Sequence, residues 1–275
     1  MKFCGIDLHS NNSVVVVTDE TDRVLVSRRC PNELTPILSL LEPHRDELVG
    51  VVVESTYNWY WLVDGLMAAG MDVKLANPVA MKRYDGLKHS DDKDDAVFLA
   101  HLLRLGILPT GYIHPPQERA LRDLARKRIQ LVRTRTQHIL AVENIAARQF
   151  GHGFSCNEIK GFSAASVDRL GLPTDVALAM NANVAVIQTL EAQIAGLEAR
   201  LLQQAKLRPE YLLLKTMPSV GEVLATVIML ETGDIGRFAE VGHFASYARC
   251  VKSARYSNGK KKGEDIYYAT LTKLA

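Results

Sequence analysis

Residues 2–29, KFCGIDLHSNNSVVVVTDETDRVLVSRR, decide the fold. Lys2 to Leu8 reads as a strand, and Ser13 to Thr18, a β-branched run, reads as a second. Arg23 to Arg29 alternates and reads as a third, after the turn-like Asp19–Asp22. Working outward, Asn32 is expected to cap a helix with Leu34, Ile37, Leu38 and Leu41 on one face. Leu48 to Val53 reads as a buried strand, 58–69 as a helix ended by Gly70, and 71–76 as a strand closed by Asn77-Pro78. Residues 92–105 read as a helix ended by Gly106. Three strands with hairpin-length links, then alternating helix and strand, predict an α/β domain. Its mixed sheet would carry helices on its faces, in the ribonuclease-H-like (RNase H-like) order.

That order gives the acids their meaning. Asp7 lies on the first strand and Glu54 at the end of the fourth, and these strands are neighbours. Asp92 and Asp95, three residues apart, share one helix face. All four are expected to converge at one sheet edge as a carboxylate cage. Hard oxygen ligands suit Mg2+ or Mn2+, and a pair of ions ~3.5–4 Å apart needs several of them. Each acid alone has a bland explanation: a strand-end turn, a solvated strand end, or a helix N-terminal charge favoured by the dipole. His9 is expected to face away from Asp7 on the strand, with Asp91 and Asp94 off the helix face.

The composition fits an ordinary soluble protein, with 47% hydrophobic and 23% charged residues in a chain of 275. The four cysteines form no CxxC pair, which argues against zinc or a disulfide framework and for a reducing compartment. No run of apolar residues is long enough to span a bilayer and the N-terminus shows no signal peptide, so a cytoplasmic protein without a membrane partner is expected. The net charge of +2 conceals two basic clusters. Residues 119–135 carry Arg119, Arg122, Arg126, Lys127, Arg128, Arg133 and Arg135 against Asp123, and 249–263 carry six cations and no acid. A solvated helix face explains one such cluster as well as a polyanion does; two clusters beside a metal-type site favour nucleic acid. Arg122, Arg126 and Arg133 are expected to hold its backbone.

Pro115-Pro116 marks a boundary. Residues 117–149 read as one long basic helix, broken at Gly151-His152-Gly153, and 155–180 are weakly patterned. Ile187, Leu190, Ile194, Leu197 and Leu201 form a heptad seam on a second long helix, and the two together suggest an antiparallel coiled-coil stalk. Met217-Pro218-Ser219-Val220-Gly221 before Val223 resembles a helix–hairpin–helix turn, which binds backbone phosphate; a plain helical hairpin fits equally. Ser257 opens the basic loop Ser257-Asn258-Gly259-Lys260-Lys261-Lys262. A serine hydroxyl needs its proton removed or the developing charge stabilised, which Arg255 and the lysines could do. On spacing alone a basic surface turn also accounts for it. The expected division is 1–108, an α/β domain; 109–208, an all-α stalk; and 209–275, a small helical domain.

Taken together these residues resemble the DEDD transposases of bacterial insertion sequences, relatives of the Piv invertase that include bridge-RNA-guided recombinases. The matching stretches include Gly5-Ile6-Asp7-Leu8-His9, Val53-Glu54-Ser55-Thr56, Asp91-Asp92-Lys93-Asp94-Asp95-Ala96 and Arg104-Leu105-Gly106. Toward the other end they are Met217-Pro218-Ser219-Val220-Gly221, Glu231-Thr232-Gly233-Asp234-Ile235 and Ser257-Asn258-Gly259-Lys260. The resemblance implies a RuvC-like domain with Asp7, Glu54, Asp92 and Asp95 as metal ligands, and a transposase domain with Ser257 as nucleophile. It also implies Mg2+ (or Mn2+), DNA and a guide RNA as partners, Lys260 and Lys261 at the nucleic acid, and a homodimer or tetramer with a composite site. Lys262-Gly263-Glu264-Asp265-Ile266 departs from the family's usual continuation, so the distal domain is expected to be short or altered. Two other readings of the residues are a metal-only junction nuclease with an inert Ser257 and a non-catalytic nucleic-acid-binding remnant.

Overall fold

The structure, a computed structural model, describes residues 1–87, 92–248, 250, 252–257 and 260–266. For 85–87, 92, 252–257 and 261–266 it describes the backbone. The contacts divide the chain into two compact units, Met1–His114 and Pro115–Ala275.

The first unit is built on a six-stranded sheet: β1 (Lys2–Leu8), β2 (Asn12–Asp19), β3 (Val24–Pro31), β4 (Leu48–Glu54), β5 (Val73–Ala76) and β6 (Thr110–Gly111). Their order is β3-β2-β1-β4-β5-β6. β1, β2 and β3 pair antiparallel, and β4 lies parallel to β1 and to β5, as the ribonuclease-H-like reading requires. The runs that read as strands are strands because their valines and isoleucines fill both faces, so β1 and β2 are buried almost throughout.

Helices cover the two faces. α1 (Leu34–Leu41) and α2 (Tyr60–Ala68) close one, where Ile6, Val15, Val17, Val53, Ile37, Leu62 and Leu66 form the main core. After the short α3 (Pro78–Met81), α4 (Asp92–Arg104) covers the other face, packing on β1, β2 and β4. Asn32 does not cap α1. The cap position is Glu33, and the Asn32 side chain instead joins Ser13 Oγ at 2.7 Å to the backbone oxygen of His9 at 3.0 Å.

The second unit opens with α5 (Pro116–Phe150). The weakly patterned stretch holds two short helices, α6 (Cys156–Lys160) and α7 (Ala164–Asp168), each begun by a capping box. α8 (Thr174–Ala205) follows. Arg128 bonds Glu198, Arg135 bonds Glu191 and His138 bonds Asn183, so α5 and α8 run antiparallel. Met180, Ile187, Ile194 and Leu201, seven residues apart, are the buried row of α8, whereas Leu190 and Leu197 of the expected seam are only half-buried. Beyond them lie α9 (Pro209–Lys215), α10 (Glu222–Thr232) and α11 (Val241–Tyr247). A two-stranded hairpin, β7 (Lys252–Ser257) and β8 (Lys260–Ile266), follows where a purely helical domain is expected.

Candidate active site

Asp7 is the penultimate residue of β1 and is 5% exposed. β1 and β4 are in register through Ile6 with Val53, so Asp7 and Glu54 stand side by side one step further on. Both point to the face opposite Ile6 and Val53, the α4 face, because side chains alternate along a strand.

Gly5 admits α4 to that face. A Cβ there would run into the carbonyl oxygen of Ala96 and lie 2.9 Å from the nitrogen of Ala100. Gly50, which pairs with Phe3 two residues back along β1, would place a Cβ 3.2 Å from the backbone oxygen of Asp72 and 3.4 Å from Leu103 Cδ2 of α4. The helix therefore runs antiparallel to β1 and brings its first turn toward the Asp7 end of the sheet. Asp95 lies one residue before Ala96 in that turn, half-buried, with Oδ1 shielded from solvent. Asp92 is the first residue of α4; its side chain, like residues 88–91, lies outside the described residues. Topology thus brings Asp7, Glu54 and the start of α4 to one end of one face. Among the described residues no three His, Cys, Asp or Glu side chains gather closely enough to hold a metal ion.

His9 does not face away as expected. β1 ends at Leu8, the chain turns with His9 N donating to Asn12 O, and the ring comes back so that Nε2 is 3.2 Å from Asp7 Oδ2. The backbone oxygen of His9 accepts from both Asn32 Nδ2 (3.0 Å) and Asn58 Nδ2 (2.9 Å). Two asparagines from separate segments fix the loop that follows the buried carboxylate. Sequence reasoning missed both as site residues; their only signal is an amide near each chain turn at this end of the sheet.

In the second unit Ser257 ends β7, paired in register with Lys260 at the start of β8. The serine side chain and residues 258–259 lie outside the described residues; Lys260 is exposed, and Lys261 pairs with Tyr256 along the backbone. Of the expected basic loop, Ser257 and Lys260–Lys262 therefore belong to the two strands of a hairpin. α11, just upstream, is anchored by Tyr247, whose hydroxyl donates to the backbone oxygen of Glu231 at 2.9 Å.

The basic helix has an unexpected internal partner. Glu231 of α10 is 1% exposed and accepts from Arg122 Nε at 2.7 Å and from Arg126 Nε and Nη2 at 2.7 and 3.0 Å. A buried carboxylate needs such compensation. Arg122 and Arg126, expected at the nucleic-acid backbone, thus brace α5 against α10, while Arg133 is exposed. Arg237 caps the same region, stacked over Phe238 and Tyr247 with its guanidinium carbon 4.1 and 4.4 Å from the ring centres.

No described helix is long and apolar enough to cross a membrane. No curated protein matches the chain. Residues 4–149 match the model of the DEDD transposases of the IS110 type, and residues 211–268 match that of the transposase IS116/IS110/IS902 family. The first match alone spans more than half of the 275 residues and includes all four acids, so the chain belongs to the IS110 family of transposases.

Proposed function

We propose that this transposase cleaves and rejoins DNA through Ser257, with Asp7, Glu54, Asp92 and Asp95 holding Mg2+ (or Mn2+). Family membership implies DNA cleavage and rejoining. The observation that carries the finer reading is Asp7, buried beside Glu54 on the face that α4 enters with Asp92 and Asp95 in its first turn. A cluster of carboxylate oxygens is the donor type that a hard divalent cation takes, and when bound the ion neutralises charge developing on a phosphate. The chain's own part is to hold those carboxylates in register and to supply a hydroxyl. In the serine step Oγ bonds to phosphorus and one phosphorus–oxygen bond to deoxyribose breaks. The hydroxyl proton passes to a base and the departing sugar oxygen is protonated. Rejoining reverses these changes with another strand's hydroxyl. Arg122, Arg126, Arg133, Lys260 and Lys261 would hold the backbone, a structured RNA would choose the sites, and the active form would be a dimer or tetramer. The division into an α/β domain (1–108), a coiled-coil stalk (109–208) and a transposase domain (209–275) belongs to the same reading.

Incubating Ser257→Ala and Asp7→Asn with labelled element DNA and Mg2+ tests it. The expected result is that Ser257→Ala forms no denaturant-resistant protein–DNA adduct and no joined product, and that Asp7→Asn loses cleavage. Undiminished cleavage by Ser257→Ala would mean a metal-only nuclease. Copurified element RNA without strand exchange by the unmodified protein would mean a binding remnant.

A further inference from the structure

The loop that leaves β1 carries a contact that neither the carboxylate cage nor the serine explains. His9 stands just outside β1, partly exposed, yet its Nε2 lies 3.2 Å from Oδ2 of the buried Asp7. A ring set against one oxygen of a carboxylate fixes the direction of the other.

The loop that carries this ring is itself fixed from two sides. His9 O accepts from Asn32 Nδ2 at 3.0 Å and from Asn58 Nδ2 at 2.9 Å. Each amide is oriented in turn through its oxygen. Asn32 Oδ1 accepts from Ser13 Oγ at 2.7 Å, and Asn58 Oδ1 accepts from Thr56 Oγ1 at 3.0 Å. An amide bonded at both its oxygen and its nitrogen has one orientation. Thr56 N also donates to the backbone oxygen of Glu54 at 2.9 Å. A chain of hydrogen bonds thus leads from the strand end that carries Glu54, through Thr56 and Asn58, to the loop whose ring faces Asp7. It joins the segments that follow β1, β3 and β4 at the end of the sheet where the two acids stand.

We propose that His9 is a positioning residue for the metal site. Its ring holds the Asp7 carboxylate by Oδ2 and leaves Oδ1 to a divalent cation, while Asn58 and Asn32 hold His9. The proposal rests on the proposed active site. Groups that orient a ligating carboxylate typically change metal affinity by about 10–100-fold when removed. The competing explanation is that His9 and the asparagines only satisfy polar groups at a chain turn. It predicts a lower Tm in their variants and an unchanged cation affinity.

Titration of the full chain with Mn2+, followed by the electron paramagnetic resonance of the free ion, separates the two. His9→Ala should bind Mn2+ roughly 10–100-fold more weakly. His9→Gln, whose amide can donate to the same carboxylate, should recover most of that loss, and Asn58→Ala should weaken binding in the same direction. Wild-type affinity in His9→Ala would overturn the proposal, as would a loss that His9→Gln leaves in place. So would a nitrogen coupling to bound Mn2+ that His9→Gln abolishes, because the ring would then be a ligand. If His9→Ala does not fold, His9→Leu, closer to the ring in size, gives the same comparison. Asp7→Asn separates this proposal from the site it rests on. Unchanged Mn2+ affinity in Asp7→Asn would sink the acid site itself; loss there beside wild-type affinity in His9→Ala would overturn the positioning role alone.

Discussion

A single hydrogen decides how α4 meets the sheet. Gly5 has no side chain to hold off the backbone of Ala96 and Ala100, and the neighbouring Val14, Val16 and Ala96 pack closely around the contact. Gly5→Ala would put a methyl group where backbone atoms already stand, and backbone yields less readily than a side chain. The cost expected for such overpacking is roughly 1–3 kcal/mol, a fall in Tm of roughly 2–9 °C. Because the helix must lift at its first turns, Asp92 and Asp95 shift with it. DNA cleavage should therefore fall more steeply than stability, measured at a temperature where the variant is still folded. A variant with wild-type Tm and wild-type cleavage would show that the helix does not rest on Gly5. The glycine is visible in the sequence, but its reason is not: it sits in a strand, where glycine is otherwise unfavourable, and only the helix above explains it.

At the other end of α4, two elements are tied by charge. Asp22, in the β2–β3 turn, adopts a left-handed backbone with φ of 65°. Its carboxylate receives Arg104 Nε and Nη2 at 2.7 and 2.6 Å and faces His101 Nδ1 at 2.8 Å. Burial alone would raise the Asp22 carboxyl, but the hydrogen bonds from Arg104 and His101 outweigh it and hold it below the ordinary value. A depressed carboxyl stabilises the fold above its unfolded pKa of about 3.9, and that contribution is lost as pH falls through the folded value. Thermal melts of the wild type should thus drop between about pH 5 and pH 3 more steeply than those of Asp22→Asn, which keeps the turn because asparagine tolerates the same backbone. Parallel pH curves would remove the clamp from the account. The elements themselves were legible: a β-branched run and an alternating run placed β2 and β3 within a residue or two beside β1, a glycine stop marked the end of α4, and apolar rows marked α5 and α8. What stayed hidden was tertiary. Leu190 and Leu197 fit a heptad on paper, yet the row offset by four from the buried one carries Glu191 and Glu198. Arg135 and Arg128 of α5 turn those positions into interhelical ion pairs. A hydrophobicity pattern carries no information about the partner's charges. Likewise nothing in the arginine-rich pattern of α5 shows that Glu231, over a hundred residues away, pairs with two of its members.

At the scale of the molecule, the question is how much each unit can do by itself. The main core of the first unit, from Cys4 through Leu75 with Ile113 packed against it, is built entirely from residues 1–114, as are the clusters around Val16 and Leu99 under α4. Its sheet is complete within those residues too, since β6 returns to pair with β5. A piece of this size is expected to bury about two-thirds of its surface, enough for a cooperative fold without staples. Residues 1–114 expressed alone should therefore give one urea transition with a slope of roughly 1–3 kcal/mol/M, identical by fluorescence of Trp59 and Trp61 and by circular dichroism. Non-coincident transitions, or dye binding typical of exposed apolar surface, would show that the acid site needs the rest of the chain to form. A folded piece would carry Asp7, Glu54, Asp92 and Asp95 without Ser257. Any DNA binding that it retained would then be assigned to the α/β unit alone.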